Sequence, residues 1–238
     1  MSEPTRRIAE NVDSVKARIQ TAAIQSGRRP EEVQLVAVTK YVSAALTRCV
    51  CEAGCTDLAE SRPQQLWGKV AELSDLPTDW HLIGHLQRNK APRTISNLSW
   101  LHSLDSVRLI QAVDDSAIAQ QRPVKALIEI NVSGDETKHG FRPEELDSAV
   151  EAVKRCQAIT VQGVMGMASN TGGIDRARED FQRLRMLRDE LAGKFPDLHW
   201  DELSMGMTND FEVAIQEGAT MVRVGSALFA GIDPRDFD

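Results

Sequence analysis

Lys40 is the residue whose position in this sequence most clearly indicates a chemical role. It follows a run of apolar and β-branched residues at 33–39, which predicts a buried strand. Burying an unpaired ammonium is costly, and a lysine held at the end of such a strand is suited to attack carbonyl groups and form a Schiff base. The alternative is a lysine that extends from the strand end into water.

Two segments near the C-terminus are typical of an anion-binding site. Small and polar residues at 204–210 precede a predicted helix, and Gly225 and Ser226 follow the last predicted strand. Small residues let the backbone approach a phosphate, and a helix N-terminus offers free N–H groups. Either segment alone is equally well explained as a helix cap or a turn, but the two together favour phosphate.

Arg223 is a second charged residue at a position predicted to be buried. It lies within the predicted strand 220–225, and the alternation of side chains places it on the same face as Gly225. A guanidinium that points into a barrel needs an acceptor such as a carboxylate or a heteroaromatic nitrogen. The alternative is a structural ion pair with one of three carboxylates: Glu129, Asp201 or Glu202.

Two histidines, His81 and His85, flank the predicted strand 80–84. Their four-residue spacing along a strand does not place them on one metal-binding face, and no third ligand stands at a suitable spacing, so no metal site is predicted. His81 is interpreted as structural, whereas His85 could face a pocket. The polar loop at 131–140 is typical of a solvated loop, with an active-site lid as the alternative.

The elements that position these residues alternate along the chain. Helical spacing at 5–26 is followed by eight strand-like segments with seven helix-like segments between them or after them. The predicted strands are 33–39, 57–60, 80–84, 100–104, 124–132, 159–167, 199–205 and 220–225. The predicted helices are 43–53, 62–73, 86–96, 106–119, 143–155, 175–193 and 209–217.

Eight β/α units of about 30 residues each predict a closed (β/α)8 barrel of the TIM type, with an extra N-terminal helix. The main rival is an open doubly wound sheet, which requires a glycine-rich turn after its first strand. The turn at 39–43 has no glycine. No linker interrupts the chain, so residues 1–238 are predicted to form one domain. Polar residues such as Asn170 follow the strands, where barrels carry their active face.

Composition narrows the classes of function. The chain has 238 residues, a net charge of -7 and a sequence pI near 5.3, which argues against non-specific nucleic-acid binding. No apolar stretch is long enough for a membrane span, and the N-terminus does not have the pattern of a signal peptide. The four cysteines do not form a disulfide framework, and a metal site at Cys49, Cys51 and Cys55 is disfavoured by their spacing. A cytoplasmic location is expected.

Several of these segments resemble the pyridoxal phosphate homeostasis proteins, whose fold is similar to the barrel domain of alanine racemases. The resemblance runs in order from about residue 5 to residue 232. Its motifs are LVAVTK at 35–40, WHLIGHLQRNK at 80–90, INVS at 130–133, GVMGM at 163–167, SMGM at 204–207 and MVRVGSALF at 221–229.

The resemblance implies a fold-type III protein that binds pyridoxal 5′-phosphate (PLP) as an aldimine on Lys40. It further implies that Arg223 faces the pyridine nitrogen. The phosphate contacts it implies are Ser204, Gly225 and Ser226, and the further cofactor contacts are Met207, Asn131, His85 and Glu60.

Two stretches depart from the family pattern. The family usually has a second lysine two positions after the first, where this chain has Val42. After strand two the family usually has Gly-Glu-Asn-Tyr, whereas this chain has Ala-Glu-Ser-Arg at 59–62. Glu60 is retained, but Ser61 would have to replace an asparagine contact. These departures bear on cofactor affinity and on any secondary transfer site.

The charge of Arg223 argues for a carrier. A guanidinium opposite the pyridine nitrogen disfavours its protonation and weakens the ring as an electron sink. Racemases tolerate such a guanidinium, but racemisation by two bases needs a second acid/base group, which in the related racemases is a tyrosine from another domain. The only tyrosine here is Tyr41, which strand alternation points away from Lys40.

The predicted function is therefore a non-catalytic PLP-binding protein, with no catalytic residues, that carries or buffers the cofactor in vitamin B6 and amino-acid homeostasis. PLP-dependent apoenzymes are the expected recipients, and a monomer or weak dimer is the expected state. The alternative is a weak amino-acid racemase with His85 or water as second base. A third hypothesis, an aldolase-like lyase using Lys40, explains Arg223 less well.

Overall fold

The described part of the chain forms eight β-strands, which are parallel and neighbour one another in sequence order. The computed structural model describes residues 3–135, 137–169 and 171–233, so Asn170 and the ends of the predicted domain 1–238 lie outside the described residues. The strands are β1 (Gln34–Val38), β2 (Asp57–Glu60), β3 (Asp79–Leu82), β4 (Trp100–Leu104), β5 (Val124–Glu129), β6 (Ile159–Met165), β7 (Glu202–Ser204) and β8 (Met221–Val224).

The sheet closes on itself because β1 pairs with β8 as well as with β2. In the β1–β8 pair, Val36 lies opposite Arg223 and Ala37 lies opposite Val224. The predicted closed barrel is thus confirmed. The register places the C-terminal ends of β1 and β8 side by side, which brings Lys40 near the loop that follows β8.

Helices surround the barrel: α1 (Glu3–Gln25), α2 (Ala44–Glu52), α3 (Pro63–Glu72), α4 (Ala91–Ile95), α5 (Val107–Ala119), α6 (Leu146–Val153), α7 (Gly173–Lys194) and α8 (Phe211–Gln216). Two begin at serine caps, where Ser43 accepts from the backbone N–H of Leu46 and Ser106 from that of Leu109. None of the described helices is long and apolar enough to cross a membrane.

Several described elements are shorter than their sequence patterns, and three of them show why. The helix predicted at 86–96 consists of a 3-10 turn at Arg88–Lys90 followed by α4. The strand predicted at 199–205 covers only Glu202–Ser204, since Trp200 packs in the core and donates to the Phe195 carbonyl at 3.0 Å. The strand predicted at 124–132 ends at Glu129, where the chain begins its loop.

The additional helix α1 packs across α8 and supports the loop after β8. The Asn11 side chain donates to the carbonyl oxygens of Leu228 at 3.1 Å and Ala230 at 3.0 Å. Each buried aliphatic side chain contributes about 1.5–3 kcal/mol, so the apolar face of α1 anchors it firmly. That buried face contains the residues that the helical spacing predicts: Ile8, Val12, Val15, Ile19, Ala22 and Ala23.

The core has two parts. A large apolar layer lies between the strands and the helices. A small separate cluster, made of Val36, Val38, Ala59, Leu127, Met165 and Met221, fills part of the barrel interior. The interior is otherwise polar: His81, His102 and Ser204 have no exposed surface, and Arg223 is 3% exposed. Buried polar groups must be paired, so their partners indicate what the interior is built to hold.

Candidate functional site

Lys40 lies in a turn just past the end of β1. Its side chain is half-buried, and its Nζ atom lies 5.1 Å from the centre of the Tyr41 ring. Within the described residues no carboxylate or carbonyl oxygen pairs with this ammonium. The prediction that Tyr41 points away from Lys40 is wrong, because strand alternation stops at Val38 and the turn brings the ring under the amine. Tyr41 itself is 79% exposed.

The backbone immediately before Lys40 is held by a buried lysine on α3. Lys69 Nζ donates to the Thr39 carbonyl at 2.6 Å and to Glu60 Oε1 at 2.6 Å. The Thr39 hydroxyl donates to the same Glu60 oxygen at 2.7 Å. Burial lowers the pKa of Lys69, and the Glu60 carboxylate opposes that shift. The cluster of Thr39, Glu60 and Lys69 therefore fixes the point from which Lys40 emerges.

Lys69 was not identified from the sequence, although a signal exists. It occupies the buried face of α3 three residues after Leu66, a position where an apolar residue is expected. A lysine at an apolar position of a helix needs a buried acceptor, and the strand-end carboxylate of Glu60 supplies it. Glu60 itself retains one buried oxygen, Oε2, that has no hydrogen-bond partner among the described residues.

Arg223 is held by uncharged acceptors inside the barrel. Its Nη1 atom donates to Ser204 Oγ at 2.6 Å and its Nη2 atom to the Gly166 carbonyl at 3.0 Å. None of the described carboxylates forms an ion pair with it, so the ion pair with Glu129, Asp201 or Glu202 is not formed here. Burial lowers the pKa of Arg223 to about 10, and the nearby Glu129 and Asp210 oppose that shift. The guanidinium is still charged at neutral pH.

The structure places Ser204 at the end of β7, inside the barrel. Its hydroxyl has no exposed surface, accepts from Arg223, and lies 3.0 Å from His102 Nδ1. The predicted contact between Ser204 and a phosphate stays a prediction. Period-2 alternation did not reveal these partners, since they come from other strands across the barrel.

The two predicted anion-binding segments do come together. Gly225 donates its backbone N–H to Thr208 Oγ1 at 3.2 Å, which ties the loop after β8 to the loop after β7. Gly206 has φ +89°, and a Cβ there would lie 2.5 Å from Ala214 Cβ. A Cβ on Gly225 would lie 3.2 Å from the Val38 carbonyl, two residues before Lys40. The exposed Ser226 begins a short 3-10 helix at Ser226–Phe229 whose first N–H groups have no acceptor within the helix.

Met207 lies in the first of these loops, and its role there is partly structural. Its side chain is 36% exposed, and its backbone N–H donates to Asp210 Oδ1 at 2.6 Å. The loop backbone is therefore ordered by Asp210. Burial raises the pKa of Asp210, while the hydrogen bond from Met207 and the charge of Arg223 oppose the shift.

The remaining predicted contacts, His85 and Asn131, are engaged with protein groups on another part of the rim. His85 Nδ1 lies 2.5 Å from Asp105 Oδ2, and its ring is stacked on that of His139 with centroids 4.2 Å apart. Asn131 donates to the Asp135 carbonyl at 2.8 Å, which closes its own loop. The nearby Gly84 makes room for backbone, since a Cβ there would lie 2.4 Å from the Ser61 carbonyl.

Glu129, at the end of β5, has an altered proton affinity. It is 4% exposed, and its Oε2 atom has no partner among the described residues. Burial raises the pKa of Glu129 to about 7, Asp105 adds to the shift, and Arg223 opposes it. The carboxyl group of Glu129 is therefore partly protonated near neutral pH, which is typical of site residues rather than surface ones.

Comparison with known proteins places the whole barrel in one group. The family described as alanine racemase, N-terminal domain, matches residues 6–233. The pyridoxal phosphate homeostasis protein of Pseudomonas aeruginosa is 41% identical over 226 residues, which cover 95% of this chain and 96% of that protein. The protein of the same name from Aquifex aeolicus is 36% identical over 220 residues, covering 92% and 96%.

Solved structures agree with these relatives. PipY of Synechococcus elongatus, solved with PLP bound, is 33% identical with a TM-score of 0.84, covering 94% of this chain and all (100%) of that chain. An alanine racemase from Clostridium difficile has a TM-score of 0.69 at 14% identity and is covered over 56% of its length. At that identity the likeness shows the fold alone.

We predict that Lys69→Met lowers the free energy of unfolding by about 3 kcal/mol or more, because it leaves the buried Glu60 carboxylate unpaired. Urea unfolding measures the change. The double variant Lys69→Met, Glu60→Gln should recover part of the loss by removing that charge.

The matched control is Lys194→Met, which removes the exposed ion pair with Asp147 and should cost less than about 1 kcal/mol. Equal losses for Lys69→Met and Lys194→Met would show that the cluster of Thr39, Glu60 and Lys69 does not act as a buried ion pair.

We predict that Glu129→Gln changes how the stability of the cofactor-free protein depends on pH. The pKa of Glu129 rises from 4.5 to about 7 on folding, so the folded state binds this proton more tightly and the wild-type protein loses stability as pH rises between those values. The loss is roughly 3 kcal/mol at most. Glu129→Gln has no carboxyl group to titrate, so its free energy of unfolding should rise relative to that of the wild type as the pH increases from 4.5 to about 7.

Urea unfolding at a series of pH values tests this expectation, with the exposed Glu151→Gln as control, which should stay within about 0.5 kcal/mol of wild type throughout. A difference between Glu129→Gln and wild type that does not change with pH would contradict the raised pKa of Glu129.

Proposed function

This chain belongs to the pyridoxal phosphate homeostasis proteins, within the alanine racemase N-terminal domain family, and we propose that it holds PLP on Lys40 and releases it to other proteins. The observation that carries the proposal is the position of Lys40. Its amine is unpaired among the described residues, and Gly225 of the proposed anion-binding loops packs against Val38, two residues before Lys40.

The residues present fit the chemical groups of this cofactor. An aldehyde requires a free amine, which Lys40 offers. A phosphate requires free backbone N–H groups and little steric bulk. The first N–H groups of the 3-10 helix at Ser226–Phe229 have no acceptor within that helix, and the two loops carry Gly206 and Gly225. A pyridine nitrogen accepts hydrogen bonds, and of the five guanidinium N–H groups of Arg223, two have acceptors on described residues.

We assign the residues as follows. Lys40 Nζ is the covalent attachment point, and Arg223 faces the pyridine nitrogen. The phosphate lies against Ser204, Gly225 and Ser226, with Met207 beside them, and the Ser204 hydroxyl also holds Arg223. The other contacts on the rim are Glu60, Asn131 and His85. When bound, PLP supplies an electrophilic carbonyl and an electron-withdrawing ring.

The same residues favour a carrier over an enzyme. Arg223 stays charged and repels a proton on the ring nitrogen, which reduces the use of the ring as an electron sink. The alternative racemase needs a second acid/base group, but Tyr41 is largely exposed and His85 is hydrogen bonded to Asp105. The relatives named for PLP homeostasis are covered almost completely, whereas the racemase is covered over 56% of its length.

We further propose PLP-dependent apoenzymes as recipients, a monomer or weak dimer as the working state, and the cytoplasm as the location. The location is supported by the four cysteines, all of which are free thiols: Cys49, Cys51, Cys55 and Cys156. Burial raises the pKa of Cys55 to about 11, which makes that thiol inert.

We predict that PLP added to the protein and fixed with borohydride will be found on Lys40 by peptide mapping. Lys40→Ala should abolish the modification and leave the barrel folded by circular dichroism. Lys125→Ala, at the exposed start of β5, is the matched control and should label as wild type does. Label on another lysine, or none, would refute the assignment of Lys40.

We predict that the PLP-loaded protein does not turn over amino acids. L- and D-alanine incubated with it in deuterium oxide should show no sustained exchange of the α-proton by proton NMR, since Arg223 weakens the electron sink. An alanine racemase serves as the positive control. Continued exchange with conversion of one enantiomer into the other would replace the carrier with the racemase.

A further inference from the structure

A continuous line of hydrogen bonds runs through the barrel interior from Arg223 to the opposite end of the barrel. Arg223 Nη1 is 2.6 Å from Ser204 Oγ, which is 3.0 Å from His102 Nδ1. His102 Nε2 is 2.9 Å from His81 Nδ1, and His81 Nε2 is 3.2 Å from Asp57 Oδ1. Asp57 is the first residue of β2, so the line joins the two ends of the barrel.

The surroundings of the line keep it dry and ordered. His81 and His102 have no exposed surface, and the Asp57 side chain is 21% exposed at the far end. The Trp100 ring is stacked on His81 with centroids 6.0 Å apart, which holds the plane of the imidazole. Gln34 donates to Asp57 Oδ1 at 2.7 Å and anchors the carboxylate.

The groups at the two ends, together with a neutral His81, set the direction of the hydrogen bonds between them. A carboxylate only accepts, so His81 carries a proton on Nε2, and with no second proton His81 accepts through Nδ1. His102 must donate from Nε2 and accept at Nδ1, so the Ser204 hydroxyl proton points to His102. The Ser204 lone pairs are left for Arg223, which only donates.

The protonation states of the groups agree with this direction. Burial holds the pKa of His102 well below its usual value, so that His102 is neutral. Burial raises the pKa of Asp57, but hydrogen bonds from His81 and Gln34 outweigh that effect and keep its pKa below the usual value. Asp57 is therefore a carboxylate at neutral pH.

We propose that Asp57, His81 and His102 are positioning residues for Arg223, because they orient the Ser204 hydroxyl so that its lone pairs face the guanidinium. Reversal of the line would make His102 a donor to Ser204 and release the hydroxyl proton from His102, so that this proton is free to turn toward the Arg223 N–H groups and weaken that contact. The effect on cofactor binding rests on the proposed function, since it assumes that Arg223 faces the cofactor.

The first test is an NMR experiment on the cofactor-free protein with 15N-labelled histidine. Long-range proton–nitrogen correlation reports which ring nitrogen carries the proton. Both His81 and His102 are expected as neutral Nε2–H tautomers at neutral pH. A proton on Nδ1 of either ring in the wild-type protein would overturn the proposal.

The second test removes the acceptor at the far end. Asp57→Ala should give a detectable Nδ1–H population on both rings and weaken PLP binding about tenfold, the size expected for a lost hydrogen bond to a charged group. Asp57→Asn keeps an Oδ1 acceptor and should retain both tautomers and the affinity. The matched control is Asp79→Ala, at the start of the next strand, where the exposed Asp79 accepts only from Ser99 among the described residues.

Unchanged tautomers and affinity in Asp57→Ala would show that the line is only structural. A tautomer shift in a protein whose wild type does not bind PLP would overturn the proposed function and still support the positioning of Arg223. If Asp57→Ala does not fold, Ser204→Ala tests the other end: both tautomers should persist while PLP binding weakens about tenfold. Unweakened binding in Ser204→Ala would contradict the proposal.

Discussion

The buried guanidinium of Arg223 is the constraint on which the rest of the site depends. A charge with almost no exposed surface is costly, and here uncharged groups hold it: the Ser204 hydroxyl and the Gly166 carbonyl. The barrel interior is polar at this level because the guanidinium must be hydrogen bonded. In the proposed arrangement Arg223 faces the ring nitrogen of bound PLP, and its retained charge then limits what the ring can do, since a proton on that nitrogen would face a like charge.

The loops of the active face are arranged around that charge by neighbouring strands. β1 and β8 pair with Val36 opposite Arg223, so Lys40 and the loop at Gly225 leave the barrel together. Lys69 fixes the Thr39 carbonyl before Lys40, and Asn11 of α1 holds the chain after Ser226. Thus an ammonium, a glycine-containing loop and a guanidinium come from adjacent elements of one barrel, which fits the proposal that the cofactor is held rather than turned over.

Much of this was predictable from sequence, because alternation and strand ends are local properties. The barrel, the buried position of Arg223 and the position of Lys40 on the active face follow from strand patterns. The partners did not follow, because they come from other strands: His102 beside Ser204, and Lys69 beside Glu60. The predicted orientation of Tyr41 was wrong because Tyr41 lies in a turn, where side chains do not alternate as they do along a strand.

The most direct test of the role of Arg223 is the protonation state of the ring nitrogen in the bound cofactor. Nitrogen NMR of PLP labelled with 15N in the pyridine ring measures that state at neutral pH. The expected result is the chemical shift of an unprotonated nitrogen in the wild-type protein, because the guanidinium of Arg223 remains charged beside it. The chemical shift of a protonated pyridinium nitrogen would contradict the claim that Arg223 keeps the ring nitrogen of the carried cofactor unprotonated.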